Sequence, residues 1–397
     1  MQLPSLILRP NTDRRLKAGH LWIFSNEVDI SRTPLVNFQP GQQAIVLNSQ
    51  EKVLGVATIN PNTLICGRLV SDDANIVLDK SLLIHRINIA LSLRQRLFNQ
   101  PYYRLIYGDS DLLPGLVVDR FDDIFVVQIS SIGMEVIKEA IVEALVKVFH
   151  PKGILFKNSG SVRELEGLPD YIEVAHGEVP QKVIVEENGA RFWAPVHEGQ
   201  KTGWFYDHRI ARQKMHSHVQ GKRVLDVFSY IGGWGIQALM AGAEQLISID
   251  SSEFAMNILT ENAELNGVAD KAQNLLGDAA EQMKNLIETK EKFDVVILDP
   301  PAFIKRRKDF KAGERAYRKF NELAMRLVTR DGLLITSSCS MHMQRETLVD
   351  VVRGATRHID RFSQIIDQSS QGPDHPIHPA IPETEYLKSL FVRVLRL

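Results

Sequence analysis

A chain of 397 residues that is 44% apolar and 24% charged reads as a soluble globular protein of two or three domains, which excludes disordered and fibrous classes. Its net charge of −1 leaves any nucleic-acid binding to local basic patches, and its two cysteines, Cys66 and Cys339, exclude a disulfide framework and fit a reducing cytoplasm. No apolar run nears the ~20 residues of a membrane helix, no Cys/His cluster has zinc spacing, and residues 1–6 lack the charged start and long apolar stretch of a signal peptide, so neither membrane nor metal is expected.

Residues 1–72 read as a small β-rich module, with a turn at Pro40-Gly41 and strands over 43–47, 53–59 and 64–69. A helix follows over 79–99, where Leu83, Ile87, Ala90 and Leu97 fall near one face and Lys80, Arg86 and Arg94 on others. It opens a second, mixed domain over 73–190. That domain holds a turn at Leu113-Pro114-Gly115, strands at 124–129, 154–157 and 183–185, and a helix over 134–149. From 191 to 397 strands alternate with helices. The runs 223–228, 246–250, 294–298 and 333–337 are short and apolar, as strands of a buried parallel sheet are. Ser251 or Ser252 can cap the helix after Asp250, Gly267 can end it, and 391–395 suits an antiparallel edge strand. The fold class is therefore α/β, with a doubly wound, Rossmann-like domain last.

Within that domain, Arg223-Val-Leu-Asp-Val-Phe-Ser-Tyr-Ile-Gly-Gly-Trp-Gly235 runs from a strand through a glycine-containing turn into a helix. Gly232 and Gly233 let a ligand approach the backbone, and Asp250 closes the next strand, where its carboxylate can accept from both ribose hydroxyls. A dinucleotide enzyme shares this layout. However, strict G-x-G-x-x-G is absent, and acidic Asp226 would repel a diphosphate. S-adenosylmethionine has no phosphate and carries a cationic ammonium, so it is the expected cofactor, held by Asp226, Phe228, Ser229, Gly232, Gly233, Asp250, Ser251 and Asp299. Asp278 is expected to bond the adenine amino group. The competing reading is a set of capped turns without a ligand.

Asp299-Pro-Pro-Ala-Phe303 ends a further strand. Pro300 and Pro301 stiffen a loop that can present Asp299 to a flipped-out base, with Phe303 available for stacking; a rigid proline turn is the bland reading. Thr336-Ser-Ser-Cys-Ser340 ends the strand after it, which brings Cys339 near Asp299. Carbon 5 of cytosine is not nucleophilic until a thiolate adds at carbon 6, so this pairing suits cytosine-5 methylation; a buried packing cysteine competes. Residues 304–319 carry eight basic residues against two acidic, with Phe310 and Tyr317 interleaved. Lys305, Arg306 and Arg307 are therefore expected on RNA, against a merely solvated helix face. His375, beside Asp374 in a loop, is a candidate proton acceptor or a structural histidine.

The stretches Gly199-Gln-Lys-Thr-Gly-Trp-Phe-Tyr-Asp-His-Arg209, Asp226–Gly233, Asp299–Phe303, Ser337–Ser340 and Asp374–Pro376 resemble the bacterial PUA-domain-containing cytosine-5 methyltransferases of 23S ribosomal RNA. The resemblance spans nearly the whole chain and implies a PUA-like first module, a small α/β middle domain and a class I methyltransferase domain. It further implies that Gln200, Lys201, Phe205, Asp207 and Arg209 wall the cofactor pocket and that Cys339 is the nucleophile. The chain departs from wider RNA cytosine-5 methyltransferases in having Pro300 and Pro301 where many carry a second cysteine. The expected partner is RNA, 23S ribosomal RNA first, and a homodimer is the candidate assembly. Two other functions share these motifs: methylation of an exocyclic amine of guanine or adenine, which does not need Cys339, and a non-catalytic RNA-binding assembly factor.

Overall fold

In the computed structural model the chain forms two compact units, residues 1–181 with 195–204 and 373–384, and residues 182–194 with 205–372 and 385–397. The structure describes residues 3–396; Met1, Gln2 and Leu397, at the outer ends of the first and last expected domains, lie outside them.

The first unit holds two five-stranded sheets. In the first sheet the order is Ser5–Ile7, Gln43–Leu47, Val53–Ile59, Ile65–Ser71, Trp22–Phe24. Alternation places Ala44, Val46, Ala57, Ile59 and Cys66 in one apolar core. Gly55 is required there: at φ +140 a Cβ would sit 1.9 Å from the Ser71 carbonyl oxygen. The second sheet runs Tyr171–Gly177, Gly153–Asn158, Ile124–Ile129, Leu116–Phe121, Tyr102–Tyr107. Its core takes Leu83, Ile87 and Ala90 from the helix Lys80–Leu97, whose first turn is capped by the Asp79 carboxylate accepting from the Leu82 amide at 2.9 Å. The helix expected over 134–149 is two, Ile132–Glu135 and Lys138–Phe149, because the chain leaves helical geometry at Ile137 (φ −117, ψ 22).

The second unit is built on a seven-stranded sheet in the order Ala272–Leu276, Gln245–Asp250, Arg223–Val227, Phe293–Leu298, Val328–Ser338, Lys388–Leu395, Phe362–Ser369. The first five strands are parallel and the last two antiparallel. Central strands are buried along nearly their whole length, hence their continuous apolar runs. Ser252 caps the helix Glu253–Leu265 by accepting from the Ala255 amide, and Gly267 follows its end at φ +67. The strand expected as an edge at 391–395 is an interior strand. It pairs with Val328–Ser338 on one side and with Phe362–Ser369 on the other, and the latter is the true edge. That edge strand exposes most of its residues, Ile365 and Ile366 included, and so carries no apolar alternation to read.

Candidate active site

Parallel strands of the second unit all end on one side of the sheet, where crevices at strand C-termini take ligands. Asp226, Asp250, Asp299 and Cys339 each lie at or just beyond such an end. Asp226 is fully buried. Its Oδ2 accepts from the Gly235 amide at 2.9 Å, while Oδ1 has no hydrogen-bond partner among the described residues. Burial pushes its carboxyl up to about 7, the nearby charges of Asp299 and Asp250 push the same way, and the Gly235 amide opposes them. A buried, half-satisfied carboxylate at a strand end is a place for a cationic or hydrogen-bonding ligand group.

The turn after it departs from ordinary backbone geometry. Phe228 (φ 66) and Tyr230 (φ 50) adopt left-handed geometry that bulky residues rarely hold, and Gly232 (φ 86) completes the run. The surrounding bonds hold it there: Phe228 and Ser229 amides donate to the Ile249 carbonyl at 2.9 and 3.1 Å, and the Tyr230 amide donates to Asp250 Oδ2 at 2.9 Å. Asp250 Oδ1 accepts from the Ser252 amide at 2.9 Å, so its carboxylate is fixed in orientation while retaining lone pairs for hydroxyl donors. Gly235 has no room for a side chain, since a Cβ would lie 2.7 Å from Leu246 and 3.1 Å from Asp226 Oδ2. Ser251 is exposed next to Asp250, and Gly233 is buried in the turn. Asp278 is exposed and caps the helix Ala279–Glu288 through the Glu281 amide. These residues fit an adenosyl ligand with a cationic tail.

Asp299 Oδ2 accepts from Trp234 Nε1 at 3.0 Å and lies 3.2 Å from His208 Nε2. His208 is buried with no hydrogen-bond partner for Nδ1 among the described residues, and its ring meets Trp234 edge-on. Pro300 is buried and Pro301 exposed. Phe303 is stacked against Phe320 at 5.5 Å and touches Tyr317 and Phe228, so one face of the ring expected to stack a base is already engaged. Lys305, Arg306 and Arg307 are exposed ahead of the helix Phe310–Leu327.

Phe293–Leu298 and Val328–Ser338 are adjacent and parallel, with Leu298 opposite Thr336, so Asp299 and Cys339 leave the same end of neighbouring strands. Cys339 is partly exposed, while its two flanking serines are buried and pinned. Tyr317 Oη lies 3.0 Å from Ser338 Oγ and 2.9 Å from Ser340 Oγ, and Lys388 Nζ donates to the Ser340 carbonyl at 2.9 Å. Lys388 and His208 are not singled out by the sequence. Lys388 is masked by lying in a strand where a lone lysine looks solvent-facing, though it is 4% exposed. His208 stands inside the Gly199–Arg209 stretch, which was a usable signal.

Of the remaining expected residues, Phe205 meets Tyr230 edge-on at 5.5 Å, which puts it against the strained turn. Asp207 is buried and accepts from the Tyr386 hydroxyl. Arg209 is buried at 3.4 Å from Glu187, a buried carboxylate that Arg212 and Gln237 also contact. Gln200, Lys201 and His375 belong to the first unit. Gln200 and Lys201 are exposed in a turn held by Lys157 on the Gly199 carbonyl and by Thr202 on Asp119. His375 is buried, its Nδ1 2.9 Å from Asp374 Oδ1 and its ring 5.1 Å from that of Tyr107.

Residues 169–373 match the family described as S-adenosylmethionine-dependent methyltransferase, and residues 6–72 match a PUA-like domain. Over 396 residues the chain is 35% identical to ribosomal RNA large subunit methyltransferase I of Aliivibrio fischeri (strain ATCC 700601 / ES114), covering 98% of this chain and 99% of the relative. Identity to the protein of that name from Klebsiella pneumoniae (strain 342) is 33%, covering 99% and 98%. Among solved structures, SMU.776 in complex with SAH superposes with a TM-score of 0.84 at 21% identity, covering 98% of this chain and 100% of that one. That likeness speaks to fold.

Proposed function

This chain belongs to the S-adenosylmethionine-dependent methyltransferase family that includes ribosomal RNA large subunit methyltransferase I, and from that premise we propose that it methylates carbon 5 of a cytosine in 23S ribosomal RNA. Its architecture is a PUA-like β domain followed by a Rossmann-like methyltransferase domain. The observation that carries the proposal is the emergence of Cys339 and Asp299 from neighbouring parallel strands, on the same edge as Asp226 and Asp250.

In this reading Asp226, Phe228, Ser229, Gly232, Gly233, Asp250, Ser251 and Asp278 hold S-adenosylmethionine. When bound it supplies an electrophilic methyl group. Cys339, as thiolate, adds to carbon 6 of the flipped base, which turns carbon 5 into an enamine carbon. Asp299, already oriented by Trp234 and His208, hydrogen-bonds the ring edge. Lys305, Arg306 and Arg307 bind phosphate together with the PUA-like domain, a grip on shape and single-stranded bases.

Cys339→Ala should abolish methylation of ribosomal RNA while retaining S-adenosylmethionine, measured by transfer of labelled methyl and by calorimetry. RNA with 5-fluorocytosine at the target should form an adduct that survives denaturing gels, since fluorine does not leave as the proton does. If the alanine variant still methylates, an exocyclic amine is the acceptor instead.

A further inference from the structure

We propose that Lys388 is the positioning residue of the nucleophile: its amine takes the proton of the Cys339 thiol, and the ammonium so formed holds the thiolate. The inference rests on Cys339 being the nucleophile and names the group that arms it. The antiparallel pairing of Lys388–Leu395 with Val328–Ser338 sets Lys388 opposite Ser338, one residue before the cysteine. The side chain cannot swing out to solvent, because it is 4% exposed and Nζ donates to two backbone carbonyls, Ser340 and Tyr386, each at 2.9 Å.

Counting hydrogens shows what that geometry does. A neutral amine has two N–H groups, both used by the two carbonyls, and one lone pair left over. An ammonium has a third N–H in place of the lone pair. The proton can therefore pass from sulfur to nitrogen without either carbonyl losing its donor. The S–H bond breaks, a third N–H bond forms, and a neutral pair becomes a thiolate beside an ammonium.

The electrostatics agree with this placement. Burial lowers Lys388 to about 8, close to the ordinary thiol near ~8.5, so the two groups compete for one proton. The charged and titratable groups that bear on it are Cys339 and Glu385, which raise it, and Arg345, which lowers it. Tyr317, across the serine pair, is itself held above its usual range by burial, hence a neutral phenol at physiological pH.

The pair can be read without RNA or cofactor, through the pH dependence of alkylation of the whole protein by iodoacetamide, followed by peptide mapping. Cys66 stays silent because it is 0% exposed and burial pushes its thiol up to about 12. In the wild type the Cys339 midpoint should lie at least one pH unit below ~8.5. Lys388→Met should raise it by one unit or more, and Lys388→Arg, which restores a cation, should bring it back down. A wild-type midpoint at or above the ordinary thiol value overturns the proposal even if the methionine variant fails to fold. So does an unchanged midpoint in a methionine variant that still binds S-adenosylhomocysteine. Failure of the nucleophile reading shows elsewhere: Cys339→Ala would still methylate RNA.

Discussion

Burial pushes the Asp226 carboxyl up to about 7, so its charge should respond to pH near neutrality. At pH 6 it carries a proton when nothing cationic is near, and binding S-adenosylmethionine should drive that proton off. Affinity should therefore rise with pH and level off above about 7. Titration calorimetry in buffers of different ionisation enthalpy should show proton release at pH 6 that vanishes in Asp226→Asn, with binding weaker by about 1.5–3 kcal/mol in the ionised range. The sign for stability is opposite. Asp226 contributes fully below its unfolded value of 3.8, and the contribution is lost as pH rises toward the folded value. Two amides hold the Asp250 carboxylate in orientation, and Asp250→Ala should cost affinity by a similar ~1.5–3 kcal/mol, read by the same calorimetry.

Among elements, the exposed run ahead of the helix Phe310–Leu327 makes the sharpest prediction. Reversing Lys305, Arg306 and Arg307 to Glu should cut RNA affinity and flatten its dependence on salt, since fewer counterions are released per phosphate contact. Cofactor binding should be unaffected, as Ile304 and Tyr317, not the basic residues, pack this segment into the core. Filter binding across a salt series reads both effects, and an unaltered slope would leave the run as a solvated face. The turn from Phe228 to Gly235 makes the complementary case. Gly235→Ala should weaken S-adenosylmethionine binding, because its Cβ would press on Leu246 and on the carboxylate oxygen that the Gly235 amide now holds.

Over the whole molecule, what could be read from the sequence was whatever obeys a local rule. Asp226, Asp250, Asp299 and Cys339 were placed because strand ends follow from apolar runs and sites follow from strand ends. Lys388 and His208 were not, because their burial depends on neighbours far away in sequence, such as the Ser340 carbonyl and Asp299. The edge strand Phe362–Ser369 stayed hidden because most of its residues are exposed and show no apolar alternation. Sheet order also separates sequence position from spatial position: Lys388–Leu395 is inserted between two strands that both precede it. Both neighbours are therefore synthesised before the strand that pairs with them, and unpaired strand edges favour association. A chain stopped after residue 384 should accumulate as aggregate, recoverable by supplying the missing segment as a separate peptide, and sedimentation of the two preparations would tell them apart. The segment that closes the sheet is thus the same short strand that begins at Lys388.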